Sequence, residues 1–113
     1  MTKTWIWRDD IYGYGDAEAK DVTVAEGDGS IYVTGHIKEV HNRKTIEHDC
    51  FVLKLDADLN RIYAKSFGFK YGDANGNSFL TCMSIQVTRN SDHIYLGGNS
   101  DGGLFFGKAI TNF

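Results

Sequence analysis

The chain has no proline, although the average usage of about 5% would place roughly six prolines in a protein of this length. It has 13 glycines among its 113 residues. Proline is the residue that presets the backbone of many ordinary turns, so its absence means that other residues must form them. We therefore expect the tight turns to be built from Gly, Asn and Asp.

Cysteine is scarce as well, with only Cys50 and Cys82. Two cysteines are too few for a disulfide scaffold, and in a reducing compartment they are more often buried thiols. His48 stands two residues before Cys50, but a Cys-His nucleophile needs a lowered thiol pKa and an orienting third group. We expect two buried thiols that are neither paired nor catalytic.

Long apolar runs and clustered basic residues are also missing. No run approaches the roughly 20 residues that span a bilayer, and "MTKTWIWRDD" lacks the apolar segment of a signal peptide. The net charge is −3, without the basic stripe that a phosphate backbone attracts. We predict a cytoplasmic protein with neither a membrane nor a nucleic acid as partner. With 42% hydrophobic and 24% charged residues, residues 1–113 are expected to fold as one domain.

The most informative feature that is present is an internal repeat. The segment "GDGSIYVTGH" (27–36) returns as "NSDHIYLGGN" (90–99) at an offset of 63. The segment "DCFVLKLD" (49–56) matches "GLFFGKAI" (103–110) at an offset of 54. The first copy thus carries nine extra residues between its second and third strands, which we predict to be a loop.

The repeat predicts an all-β fold. Strands are expected at about 22–26, 31–35, 50–56 and 61–67, and again at 83–89, 93–97 and 104–110, after an additional strand at about 4–12. Repeat 1 spans about 13–60 and repeat 2 about 61–113. A four-stranded antiparallel unit of this period is typical of a propeller blade, and continuous apolar runs such as "CFVL" predict strands covered on both faces. The predicted fold is two four-stranded antiparallel propeller blades per chain.

The segments "DVTV", "GSIYVTG" and "DCFVLKLD" resemble the bacterial β-propeller repeat often labelled SBBP. The resemblance implies the fold and no shared catalytic residues. This chain differs in having two units, which would leave two apolar faces uncovered. We therefore expect a complete chain that closes a six-bladed ring as a homotrimer, the N-terminal strand completing a neighbour's blade. An eight-bladed tetramer, a fragment of a longer propeller and a monomeric β-sandwich are the alternatives. Small bacterial fucose-binding lectins resemble this plan, but their sugar-site residues have no convincing match here.

Four connections, at 13–21, 36–49, 68–81 and 98–103, are predicted to be long loops on one side of the ring. They hold eight acidic and five basic residues, which accounts for the whole net charge. Functional side chains concentrate on loops held by a rigid scaffold. The candidate ligand-binding residues on this side are Tyr14, Asp16, His36, His48, Asp49, Phe69, Tyr71, Asp73, Asn75, Asn77, Asn99 and Asp101.

These residues favour binding over catalysis. His36, His41 and His48 have no compact metal-ligand spacing, and "DANGN" (73–77) has Ser78 where a calcium loop needs Gly. We predict no metal, no cofactor and no catalytic residue. The predicted function is an oligomeric binding module that recognises carbohydrate or another small polar ligand. The alternative is a structural or protein-interaction scaffold, which asymmetry between the two copies would favour.

Overall fold

The computed structural model describes residues 17–41, 45–68, 78–100 and 103–111, and in these ranges it contains seven strands and no helix. The described residues accordingly include no helix that could cross a bilayer. The all-β prediction is confirmed. The strand predicted at 4–12 lies outside the described residues. The strands are β1 (Ala17–Val24), β2 (Ile31–His41), β3 (Thr45–Leu55), β4 (Arg61–Phe67), β5 (Ser78–Val87), β6 (His93–Ser100) and β7 (Gly103–Ile110).

The short turns use the residue types that the missing proline led us to expect. In the β1–β2 turn the Asp28 carboxylate accepts the Ser30 amide at 2.9 Å, and Gly29 has a φ of 74°. In the β3–β4 turn the Asp56 carboxylate accepts the Asn60 amide at 2.8 Å. Such side-chain bonds replace the turn geometry that proline would impose.

The strands form one open sheet that consists of two antiparallel parts. The order is β1-β2-β3-β5-β6-β7, and β4 pairs with β3 beside this path. Among the described residues, the two parts are joined by strand pairing only where β3 runs parallel to β5. This short pairing consists of Glu47 with Ser78 and His48 with Phe79. We call β1–β4 the first half-sheet and β5–β7 the second half-sheet.

The two half-sheets have the same register and the same irregularity. A bulge interrupts the β1–β2 ladder between Ala19 and Asp21, and another interrupts the β5–β6 ladder 63 residues later, between Cys82 and Ser84. Gly35 and Gly98 lie opposite these bulges, where the partner strand comes so close that a Cβ atom would overlap a backbone carbonyl. Only glycine fits such an approach, which explains why "TGH" and "GGN" share it.

The half-sheets pack face to face. Because they are copies of one repeat, equivalent faces in the two half-sheets receive the same name. The forward face of the first half-sheet carries Tyr32, Thr34, Cys50 and Val52, which correspond to Tyr95, Gly97, Leu104 and Phe106 in the second. The rear face is the opposite one. The forward face of the first half-sheet packs on the rear face of the second, and both contribute to one core. This core contains Ala25, Tyr32, Cys50, Val52, Leu80, Cys82, Ile85, Ile94 and Leu96.

The rear face of the first half-sheet has its own buried cluster. Phe51, Leu53 and Leu55 of β3 are at most 3% exposed and pack with Ile37. Strand β3 is therefore buried on both faces, as its continuous apolar run predicted. Strand β7 differs, because Leu104 and Phe106 on its forward face are 92% and 74% exposed. The difference arises because the forward face of β3 has the second half-sheet against it.

The prediction of two separate buried thiols was wrong. Cys50 of β3 and Cys82 of β5 form a disulfide that joins the half-sheets, with Cα atoms 5.3 Å apart. Both residues are fully buried. Packing forward face against rear face brings them together, and their separation of 32 residues in the sequence carried no sign of this. The disulfide also removes any Cys-His nucleophile, because Cys50 has no thiol to ionise.

The predicted long loop of 36–49 was also wrong. Strand β2 continues as far as His41, and strand β3 already begins at Thr45. The nine extra residues therefore lengthen the β2–β3 hairpin. The polar residues in this stretch still pair through their backbones, as Lys38 does with His48. Strand β1 likewise begins at Ala17, inside the predicted 13–21 loop, and β6 continues to Ser100, inside the predicted 98–103 loop.

Candidate functional site

Strand direction places the predicted ligand-binding connections at one end of the sheet. Strands β1, β3, β5 and β7 begin at this end and β2, β4 and β6 finish there, because every pairing is antiparallel except that of β3 with β5. We call it the loop end. The short turns at 25–30, 56–60 and 88–92 lie at the opposite end.

A polar and aromatic cluster occupies the loop end of the first half-sheet. The rings of His36 and His48, from neighbouring strands, are stacked with centroids 5.3 Å apart and planes 12° apart. Phe79 of β5 packs against His48 with a centroid distance of 5.0 Å. Glu18 of β1 lies on the side of His36 away from β3, and its carboxylate is 3.6 Å from Nε2 of His36. We call these four residues the histidine cluster.

Glu18 is held ionised by its neighbours. Its carboxylate is 2.7 Å from Nζ of Lys20, and this lysine, with a smaller contribution from His36, lowers the pKa of Glu18. The carboxylate is exposed, so that solvent screens the attraction. The histidine cluster therefore has the Glu18–Lys20 ion pair at its outer edge and imidazole rings behind it.

His36 has an unused hydrogen-bonding atom. Its Nδ1 is buried, with no hydrogen-bond partner among the described residues, while its side chain is 16% exposed. A buried polar atom without a partner costs free energy, and such atoms in native structures often belong to functional sites. The histidine cluster thus contains one buried hydrogen-bonding atom that the described residues leave without a partner.

Asp49 does not join this cluster, although it follows His48 directly in the sequence. Alternation along β3 turns its side chain to the rear face, where it is 9% exposed and lies against Gly68. Sequence proximity suggested one group of polar residues, and the period-two geometry of a strand divides them between two faces.

Asn99 occupies the position in the second half-sheet that His36 occupies in the first. It pairs with Thr81, as His36 pairs with Glu18, and it is exposed on the forward face. The histidine cluster is therefore not repeated. The loop end is asymmetric between the two halves.

The other predicted site residues lie outside the described residues, so that their positions stay predictions. They are Tyr14, Asp16, Phe69, Tyr71, Asp73, Asn75, Asn77 and Asp101. In the sequence, each lies between two described strands or before β1.

Glu18 and Phe79 are cluster members that the sequence reasoning missed. Glu18 was counted only as a loop charge, because β1 was expected to begin near residue 22. The bulge between Ala19 and Asp21 decides that Glu18, and not its neighbour, pairs with His36. The signal for it was Gly35, whose close approach to β1 accompanies the bulge.

No group of three or more potential metal ligands occurs among the described residues. The two stacked imidazoles and one carboxylate carry groups that can donate and accept hydrogen bonds. Hydrogen bonds of this type suit hydroxyl and amide groups.

A second concave surface lies on the forward face of the second half-sheet. This cleft has a volume of about 440 Å³, and its lining includes Asp21, Ser84, Tyr95, Gly97 and Phe106. The rings of Tyr95 and Phe106 stack at 5.8 Å, and Lys108 lies 5.6 Å from the Tyr95 ring centre. Its lining is mostly apolar, unlike that of the histidine cluster.

Comparisons with family models, with curated proteins and with solved structures find no match for this chain. Its function is therefore inferred from the architecture and from the two surfaces.

Proposed function

We propose that the protein is an oligomeric β-propeller binding module whose loop end binds a carbohydrate or another small polar ligand. The observation that carries the proposal is the histidine cluster. It combines an ionised carboxylate, two stacked imidazoles, an unpartnered buried Nδ1 and an aromatic ring at one end of the sheet. These are the groups that bind hydroxyls and pack against the apolar side of a sugar.

The proposed assembly is a closed ring of three chains with six blades. Its support is the repeated register of the two half-sheets together with the exposed apolar side chains on opposite sides of the chain, Val22 and Val24 on one and Leu104 and Phe106 on the other. In this proposal residues 4–12 form the fourth strand beside β7 of a neighbouring chain.

A cytoplasmic location stays a prediction, and the disulfide bears on it. Disulfides persist mainly in oxidising compartments, whereas cytosolic thiols are kept reduced. The prediction therefore requires that burial protects the Cys50–Cys82 bond from cellular reductants. Cell fractionation would test the location, and thiol labelling of unfolded protein from the cytoplasmic fraction should then leave both cysteines unlabelled, whereas labelling of both would show that burial does not protect the bond.

A protein-interaction scaffold is the second candidate, and the asymmetry of the loop end favours it. The second half-sheet carries Asn99 and Thr81 where the first carries His36 and Glu18. A ligand bound at every repeat would need equivalent groups in both, whereas a protein partner does not.

The test is a glycan array followed by matched substitutions. His36→Ala is expected to weaken binding of any sugar found by about 1–3 kcal/mol, the usual cost of removing a hydrogen-bonding partner from a buried site. His93→Ala, at the short-turn end, is the matched control and should leave binding unchanged. Asp73→Ala and Asp28→Ala form a second pair with the same expectation.

Equal losses from both members of each pair would place the binding site elsewhere. An array without any ligand would contradict the carbohydrate proposal and leave the scaffold as the function. In that case His36→Ala should instead weaken the capture of a protein partner.

A further inference from the structure

The packing of the two half-sheets defines which surfaces of two separate chains fit each other. Within one chain, Ile85 on the rear face of β5 is buried in one core with Tyr32 and Val52 on the forward face of the first half-sheet. Strand β5 also contacts β1, β2 and β3. This contact uses one forward face and one rear face.

The repeat provides a second forward face and a second rear face. The counterparts of Tyr32 and Val52 are Tyr95 and Phe106, which line the 440 Å³ cleft. The counterpart of Ile85 is Val22, which is 57% exposed on β1. Val24 on the same side of β1 is equally exposed, at 57%. Two complementary surfaces thus stand on opposite sides of the molecule.

We propose that the forward face of the second half-sheet docks onto β1 of a second copy of this chain, with Val22 of that copy entering the cleft lined by Tyr95, Gly97 and Phe106. The inference rests on the proposed assembly and names its contact surfaces. Because the two surfaces differ, the contact is head-to-tail, and such contacts produce a ring or a filament.

The two strongest links of the internal contact are absent from the external one. The counterpart of Cys82 is Ala19, and the counterpart of Cys50 is Leu104. In the proposed contact between chains, Ala19 and Leu104 therefore take the place of the disulfide. The counterpart of Asp21, whose carboxylate accepts the Ile85 amide at 2.9 Å, is Ser84. The contact between chains is therefore non-covalent, without the carboxylate link, and dissociates more readily.

One backbone amide on β1 also lies in the proposed contact. The amide of Val22, the counterpart of the Ile85 amide, is bonded to the carboxylate of its own Asp21 at 2.9 Å. Docking would bring Ser84 of the preceding chain to this amide. Because this amide already has an acceptor in its own chain, the contact between chains has no hydrogen bond equivalent to the one between Asp21 and Ile85.

The test transfers the disulfide to the proposed contact. Chains with Ala19→Cys and chains with Leu104→Cys are mixed with oxidised glutathione, which accepts the two electrons as the intermolecular S–S bond forms. A covalent dimer of one chain of each type is expected on a non-reducing gel. The doubly substituted chain should give covalent species that stop at the ring size, three chains in the proposed assembly.

The control replaces Ala19 by another exposed residue, at the opposite edge of the first half-sheet. Ile62 of β4 is 54% exposed, and Ile62→Cys mixed with Leu104→Cys should give no mixed dimer above the level of random collision. Each single variant alone measures the background of like-with-like dimers.

Light scattering of the unsubstituted chain separates the two proposals. An oligomeric mass without the specific cross-link would overturn the named surfaces and leave assembly intact. A monomer together with no cross-link would overturn both. In the supported case, Phe106→Asp should prevent assembly while the internal disulfide still forms.

Discussion

The carboxylate of Asp21 connects the two half-sheets by accepting the backbone amide of Ile85 on Oδ2 at 2.9 Å, while Oδ1 accepts the amide of Val22 at the same distance. Both amides follow a β-bulge, where the regular ladder is interrupted. One side chain thus satisfies a backbone group in each half-sheet.

Removing this carboxylate should destabilise the fold. Asp21→Ala leaves the partly buried Ile85 amide without an acceptor, which is expected to cost about 1–3 kcal/mol of the free energy of unfolding. Asp21→Asn keeps one acceptor oxygen and should cost less. Urea denaturation gives the free energies, and Ser84→Ala, at the equivalent position of the second copy, is the matched control with a change of under about 0.5 kcal/mol. A loss as large for Ser84→Ala would contradict the assigned role.

The Cys50–Cys82 disulfide should contribute substantially to stability. Closing a loop over a separation of 32 residues restricts the unfolded chain, which is worth roughly 3–4 kcal/mol in the chain-entropy model. We expect reductant to lower the urea midpoint of the wild type and to leave that of a Cys50→Ala/Cys82→Ala variant unchanged. A thiol assay on unfolded, unreduced protein should detect no free thiol, and two thiols per chain would contradict the pairing.

Gly98 should not tolerate a side chain. A Cβ atom there would overlap the carbonyl oxygen of Thr81 and lie 2.9 Å from the Cα of Cys82. Because both obstacles are backbone atoms, Gly98→Ala is expected to cost at least the roughly 1–3 kcal/mol of an overpacked core. Gly27→Ala is the control, since its nearest neighbour is the Ser91 hydroxyl at 3.7 Å. Thermal melts of the two variants give the comparison, and equal melting temperatures would contradict the close approach.

Tyr63 should make stability depend on pH in the alkaline range. Its hydroxyl donates to the Thr111 carbonyl at 2.7 Å, and burial, followed by the influence of Tyr32, raises its pKa above the ordinary value of 10.0. Because the pKa of Tyr63 is higher in the folded than in the unfolded state, its contribution to the free energy of unfolding is complete below the unfolded pKa of about 10. This contribution is lost as the pH rises above that value.

Tyr63→Phe therefore has a pH-dependent effect. Below pH 9 the wild type should be more stable than the variant by about 1 kcal/mol, the usual contribution of one hydrogen bond. This difference should shrink above about pH 10, where the unfolded tyrosine ionises. Urea denaturation across this range measures it, and a difference that stays constant would show that Tyr63 titrates normally in the fold.

The sequence by itself determined the order and the approximate positions of the described strands, and not where several of them begin or end. Continuous apolar runs bounded by Gly, Asn and Asp located the central part of each described strand, and the offset of 63 paired Tyr32 with Tyr95 and Gly35 with Gly98 from residue identities alone. These features are local, because side-chain period and turn chemistry act over a few neighbouring residues.

The tertiary structure decided how these strands meet. Whether the polar stretch from His36 to Asp49 is a loop or a long hairpin depends on backbone pairing that composition does not reveal, and the structure shows the hairpin. The stacking of His36 on His48, the exclusion of Asp49 to the other face and the contact of Glu18 with His36 follow from register and from one bulge. Cys50 and Cys82 pair because a forward face packs on a rear face, and such long-range contacts are set by the burial of whole surfaces and not by any single stretch of sequence.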